Sequence, residues 1–166
     1  MNFGCSDDRL TDTKIRDYAS FSPPHSEKAT GVHHPTDHEG SEPLRVLVID
    51  DDRDNAETMT RLLQTLGCEC MALYHSTAAL EAAPTYLPDL LLIDLAMPVV
   101  DGYLLVAEWR KANKVKGATI VAVSGYCDPQ SRQKAFDVGF DDFIAKPYTL
   151  ADLKRVVEFA AQRLAT

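Results

Sequence analysis

Apolar and polar positions divide the chain into two unequal stretches. From Leu44 onward, short apolar runs alternate with amphipathic stretches of helical period, whereas no hydrophobic period is sustained before it. The apolar runs predict strands over 44–49, 68–74, 89–93, 118–123 and 141–145. The stretches between them predict helices over about 54–66, 76–83, 101–113, 129–138 and 150–164. Strands alternating with helices imply βαβ units, a parallel sheet with right-handed crossovers, and helices on both faces. The punctuation agrees. Asp54 can cap the first helix with Glu57 at the reciprocal position. Gly67 and Gly139 sit just past helix ends, where a left-handed residue is wanted. Asp128-Pro129 reads as an N-cap followed by proline in the first helical position. Thr149 and Asp152 resemble another capping box. Leu150, Leu153, Val156, Val157 and Leu164 mark one apolar face of the last helix, read as core.

Composition sharpens the division. Residues 1–43 hold four of the nine prolines, four of the five histidines, eight acids and four bases. Such a segment cannot bury much apolar surface and is expected to be a flexible, mostly disordered extension ahead of a domain over 44–166. A short helical turn around Leu10–Ala19 is available within it. His25, His33, His34 and His38 could bind a transition metal there, but a solvated tail is the preferred reading. With 17 basic and 25 acidic residues the net charge is −8, which argues against a nucleic-acid-binding surface. No run approaches membrane-spanning length and the N-terminus lacks an apolar signal core, so a cytoplasmic protein without membrane contact is expected. Cys5, Cys68, Cys70 and Cys127 follow no zinc-ligand spacing. Cys68 and Cys70 are expected to be reduced and to face opposite ways along a strand.

The strand ends carry the chemistry. The run LRVLVIDDDRDN (44–55) passes from an apolar strand into Asp50, Asp51 and Asp52, and DLLLIDLAMPVVDG (89–102) does the same at Asp94. Strand four ends in Ser124, and strand five runs into Lys146-Pro147. In an open parallel sheet the carboxyl ends of the strands share one edge, where ligands bind at the topological switch point. Carboxylates converging there repel one another unless a cation joins them. Mg²⁺ suits the arrangement, because it takes oxygen ligands, uses one or two carboxylates plus a phosphate, and keeps its waters. Asp51 is the first candidate ligand, Asp50 acts directly or through water, Asp94 completes the carboxylates, and the Ala96 carbonyl could add a backbone oxygen. Asp94 can also be a nucleophile toward phosphorus, giving an acyl phosphate. Lys146 can neutralise the carboxylates and the transferred oxygens, and Ser124 can hydrogen-bond those oxygens. Singly, each residue has a plainer reading as a cap or a turn. Asp52 either strengthens the attraction for metal or merely caps the helix. The convergence at matching strand ends favours a site.

The motifs VLVIDD, LLIDLAMPVVDG, VAVSGY and DDFIAKP, in this order and spacing, resemble the receiver domain of two-component response regulators over about 44–164. The resemblance implies an α/β, flavodoxin-like doubly wound sheet of five parallel strands in the order 2-1-3-4-5. It implies Mg²⁺-dependent phosphorylation of Asp94 by a sensor or hybrid histidine kinase or a histidine phosphotransfer protein. Asp50 and Asp51 match the family's acidic pair, Ser124 its switch hydroxyl and Lys146 its lysine, with Lys146-Pro147 expected to be cis. Phosphorylation would draw Ser124 toward the phosphoryl group, let Phe143 turn inward from an exposed rotamer, and change the partner-binding surface of the fourth helix, fifth strand and fifth helix. Alternatively Phe143 is simply core. Ala96 and Tyr126 stand where relatives tune the phosphoryl lifetime, so altered hydrolysis is expected. The expected protein is a stand-alone receiver, monomeric or dimerising on phosphorylation, and no turnover enzyme. A receiver-fold interaction module that works without phosphorylation is the main alternative. A haloacid-dehalogenase-like phosphatase, using Asp50-x-Asp52, is a weaker one.

Overall fold

A computed structural model of the protein describes residues 42–166. Apart from its last two residues, the extension expected over 1–43 lies outside them, with its possible helical turn and its four histidines. Five strands and five helices alternate strictly: β1 (Arg45–Ile49), α1 (Arg53–Thr65), β2 (Glu69–Leu73), α2 (Ser76–Tyr86), β3 (Leu90–Asp94), α3 (Gly102–Ala112), β4 (Thr119–Ser124), α4 (Pro129–Val138), β5 (Asp142–Ala145) and α5 (Leu150–Leu164). The strands form one parallel sheet in the order β2-β1-β3-β4-β5.

The two faces of the sheet are separated by strand alternation. Leu47, Ile49, Leu91, Ile93, Ile120 and Ala122 point to the side covered by α2, α3 and α4. Val46, Val48, Leu90, Leu92, Val121, Val123 and Ile144 point to the side covered by α1 and α5. A strand buried on both faces reads as a continuous apolar run, which is why LLLI and TIVAV show no polar alternation.

Four sequence expectations need correction. The N-cap of α1 is Asp52, whose carboxylate accepts the amides of Asp54 and Asn55; Asp54 lies inside the first turn. The helix α2 runs three residues beyond 83, through Pro84, because Ala83 and Tyr86 are buried and outweigh the hydrogen bond that proline cannot make. The apolar face of α5 is narrower than expected: Leu153, Val156 and Ala160 are buried, whereas Leu150 and Leu164 are exposed. Cys68 and Cys70 face the same side, against α1 and α5, since residues two apart on a strand share a face. The other punctuation stands. Gly139 caps α4 at φ 111°, Gly67 follows α1 at φ 84°, Asp128 caps α4 ahead of Pro129, and Thr149 with Asp152 closes a capping box. Among the described residues no helix is long and apolar enough to cross a membrane.

Candidate functional site

The carboxyl ends of β1, β3, β4 and β5 bring the chemistry-bearing residues together. Asp50 follows the last residue of β1, is 2% exposed, and is fixed by its own amide, which donates to the Leu73 carbonyl of β2 (3.1 Å). Asp94 is the last residue of β3 and Ser124 the last of β4; both are buried. Lys146 leaves β5 through a cis bond to Pro147, and its amide donates to the Ser124 carbonyl (2.7 Å).

The Lys146 ammonium bridges the two buried acids, donating to Asp50 Oδ2 at 2.8 Å and to Asp94 Oδ2 at 3.0 Å. The remaining oxygens are held by backbone. Asp50 Oδ1 accepts the Asp52 amide (2.9 Å) and Asp94 Oδ1 accepts the Ala96 amide (3.1 Å). Burial raises the Asp50 carboxyl above its usual 3.8, and the bonds from Lys146 and the Asp52 amide only partly offset it. Burial works against the Lys146 charge as well, yet the hydrogen bonds and attraction of Asp50 and Asp94 outweigh it and raise the lysine above its usual 10.5.

Carboxylate oxygens of Asp50, Asp51 and Asp94 lie within 4.8 Å of one another, with Asp51 exposed at the mouth. Three converging hard oxygen donors fit Mg²⁺ better than a thiophilic metal. Asp52 is not in this cluster. Its carboxylate is turned to cap α1, which removes the second acid that the Asp50-x-Asp52 phosphatase reading requires. The Ser124 hydroxyl accepts the Tyr126 amide (3.0 Å), so its own β4–α4 loop holds it; the Tyr126 ring stands exposed beyond. Phe143 is 4% exposed and packs in the core on the α2–α4 side. The exposed rotamer expected for the unmodified protein is therefore not the one adopted here.

Gly102 shows how tightly the mouth is built. A side-chain carbon at this position would lie 2.5 Å from the Asp94 carbonyl, so only glycine lets α3 start this close to the end of β3. Asp101 caps that helix by accepting the Leu104 amide (2.8 Å).

A family model for the response regulator receiver domain matches residues 46–158. The chain belongs to that family. As a receiver it is 32% identical over 115 residues to a 14.6 kDa protein of the sodA1 3′ region in Leptolyngbya boryana, covering 69% of this chain and 88% of that one. It is 30% identical over 122 residues to hybrid signal transduction histidine kinase L of Dictyostelium discoideum, covering 69% of this chain. It is 31% identical over 119 residues to the transcriptional regulatory protein PrrA of Mycobacterium tuberculosis, covering 72% of this chain. The receiver spans only 7% of that kinase and 50% of PrrA. Among solved structures it is similar to the receiver domain of Francisella response regulator 1452, with TM-score 0.68 and 26% identity, covering 73% of this chain and 98% of that one. A two-component response regulator from Clostridium difficile matches with TM-score 0.68 and 25% identity, over 74% of this chain and 99% of that one. The receiver fold and the flavodoxin-like strand order expected from the motifs are both found.

Proposed function

We propose that this receiver takes a phosphoryl group onto Asp94 from a phosphohistidine, on a sensor or hybrid histidine kinase or on a histidine phosphotransfer protein. The observation that carries the reading is the Lys146 bridge between Asp50 and Asp94, beside an exposed third carboxylate, at the end of four strands. An Asp94 oxygen attacks phosphorus, the phosphorus–nitrogen bond breaks, and its electron pair returns to the imidazole. Asp94 becomes an acyl phosphate. Lys146 can follow the charge onto the transferred oxygens, and Ser124 can offer its hydroxyl to them once it gives up the Tyr126 amide. Asp50, Asp51 and Asp94, with the Ala96 carbonyl, would hold Mg²⁺, which neutralises charge on the phosphoryl oxygens when bound. The chemistry modifies the protein itself and involves no turnover of a separate substrate. The altered charge biases the surface of α4, β5 and α5 toward a downstream protein, or the group passes on to a histidine phosphotransfer protein.

Intact-protein mass after incubation with acetyl phosphate tests this. A single phosphoryl adduct that requires Mg²⁺ and is lost in Asp94→Asn is the expected result. If no adduct forms and beryllofluoride also fails to bind, the phosphoryl reading falls and an interaction module independent of phosphorylation takes its place.

A further inference from the structure

The helix α2 starts beside the acidic cluster, and it is started unlike its neighbours. Side chains cap the other four helices: Asp52 for α1, Asp101 for α3, Asp128 for α4 and Thr149 for α5. The N-cap of α2 is His75, whose side chain makes no such bond. The first amide bonded inside the helix is that of Ala79, to the His75 carbonyl at 3.2 Å. The amides of Ser76, Thr77 and Ala78 precede it and have no acceptor within the helix. They carry the positive end of its dipole.

A cavity of about 90 Å³ opens at this helix start. It is lined by Tyr74, Ser76 and Thr77, by Met97 and Pro98 of the β3–α3 loop, and by Asp51. Of the three clustered carboxylates only Asp51 lines it. Ser76 is 3% exposed, and its hydroxyl has no hydrogen-bond partner among the described residues. The one unpartnered side-chain atom sealed from solvent among those residues is Trp109 Nε1, so the Ser76 hydroxyl still meets open space, and the cavity it lines supplies that space. A hydroxyl left unpaired in a buried residue costs free energy that a ligand can recover. The exposed Arg53 guanidinium lies 4.2 Å from the centroid of the Tyr74 ring and adds positive charge beside the cavity.

We propose that this cavity is a binding site for a free oxyanion of the size of phosphate. The amides at 76–78 and the Ser76 hydroxyl donate to its oxygens, and Arg53 adds attraction from the side. Asp51 opposes them, because its carboxylate repels an anion in the same cavity. Mg²⁺ on Asp50, Asp51 and Asp94 neutralises that charge, so the anion and the metal favour one another by the same factor. This coupling rests on the proposed metal reading; the donors of the cavity do not. Phosphate set free when an Asp94 acyl phosphate is hydrolysed belongs to the ligand class, so the site ties metal occupancy to the local concentration of that product.

The test follows backbone amide shifts of the full, isotope-labelled chain during titration with inorganic phosphate, with and without Mg²⁺. Saturable shifts at 76–78 are expected, with about tenfold tighter binding in Mg²⁺. Ser76→Ala should weaken binding about tenfold and Arg53→Gln about threefold, with the remaining amide shifts unchanged. Asp51→Asn removes the repelling charge and should bind phosphate in Mg²⁺-free buffer more tightly than the wild type does. Shifts at 124 and 146 in place of 76–78 would put the anion at the phosphoacceptor and overturn the proposal. Equal shifts with chloride at matched ionic strength would overturn it too, as would unchanged affinity in both Ser76→Ala and Arg53→Gln. Mg²⁺ alone is titrated in parallel. If it leaves the amides around 50, 51 and 94 unmoved, the metal reading falls, and the oxyanion site is then judged on Asp51→Asn: binding there upholds it, and no binding overturns it.

Discussion

Val99 occupies the loop between Asp94 and α3 with φ 71° and 91% exposure, a backbone that β-branched residues avoid. Nothing buries its side chain in return. Val99→Asn should therefore stabilise the protein by about 1 kcal/mol, seen as a higher urea midpoint at unchanged slope. A lower midpoint would mean that contacts of the valine outweigh its strain. Lys146 is a residue with the opposite balance. Without it Asp50 and Asp94 would face each other buried and uncompensated, so Lys146→Ala should cost about 2 kcal/mol in metal-free buffer. The same loss leaves more negative charge for a cation, so Mg²⁺ should raise the melting temperature of the variant more than that of the wild type. Equal shifts would show that Lys146 and the metal do not compete for the same oxygens. The identities of both residues stand in the sequence. The strain of one and the bridging of the other do not, because a backbone angle and a contact between distant residues are properties of the folded chain.

At the scale of the element, local signals were well legible. The boundaries of α4 and α5, their caps and the glycine after α1 follow from capping chemistry that acts over three or four residues. Expectation and structure part where a competing hydrogen bond or the burial of a side chain overrides the simplest local signal. Asp54 satisfies the spacing of a capping box, but Asp50 takes the Asp52 amide and begins the turn two residues earlier, leaving Asp52 as the cap. Pro84 signals a helix end, but burial of Tyr86 beneath Arg45, with its hydroxyl donating to the Glu69 carbonyl, carries α2 past it. Gly139 shows a local and a tertiary demand at once. Its φ of 111° needs glycine, and an added side-chain carbon would lie 2.9 Å from Cγ of Arg110. Gly139→Ala should cost about 2 kcal/mol by urea denaturation. A cost near zero would show that neither the backbone angle nor the Arg110 side chain resists the added carbon.

For the whole molecule, burial of titratable groups against the sheet predicts a loss of stability at alkaline pH. Burial pushes the Cys68 thiol from 9.0 up to about 11. Burial, with help from Cys68 and Glu69, pushes Cys70 to about 12. Burial likewise raises Tyr86 from 10.0 to about 12. In each case the folded chain keeps its proton at a pH where the unfolded chain releases it. The stability these groups contribute is thus complete below about pH 9 and is lost as the pH rises toward about 12. Urea midpoints across that window should fall less steeply in a Cys68→Val/Cys70→Val variant than in the wild type. Parallel slopes would assign the loss to other groups.

Short-range chemistry along the chain dictates the succession of strands and helices, the parallel sheet and the residues gathered at one sheet edge. Alternation along a strand, helical period and capping are short-range, and a parallel βαβ topology places all strand ends of one kind together. How those carboxylates are held is set by long-range packing. Lys146 reaches Asp50 across 96 positions and Asp94 across 52, while Asp52, adjacent to the pair in sequence, turns away. Packing also decided that Phe143 lies inward and that Arg132 covers it. Rotamers and long-range pairs are selected by packing among segments far apart in the chain, and no local period encodes them.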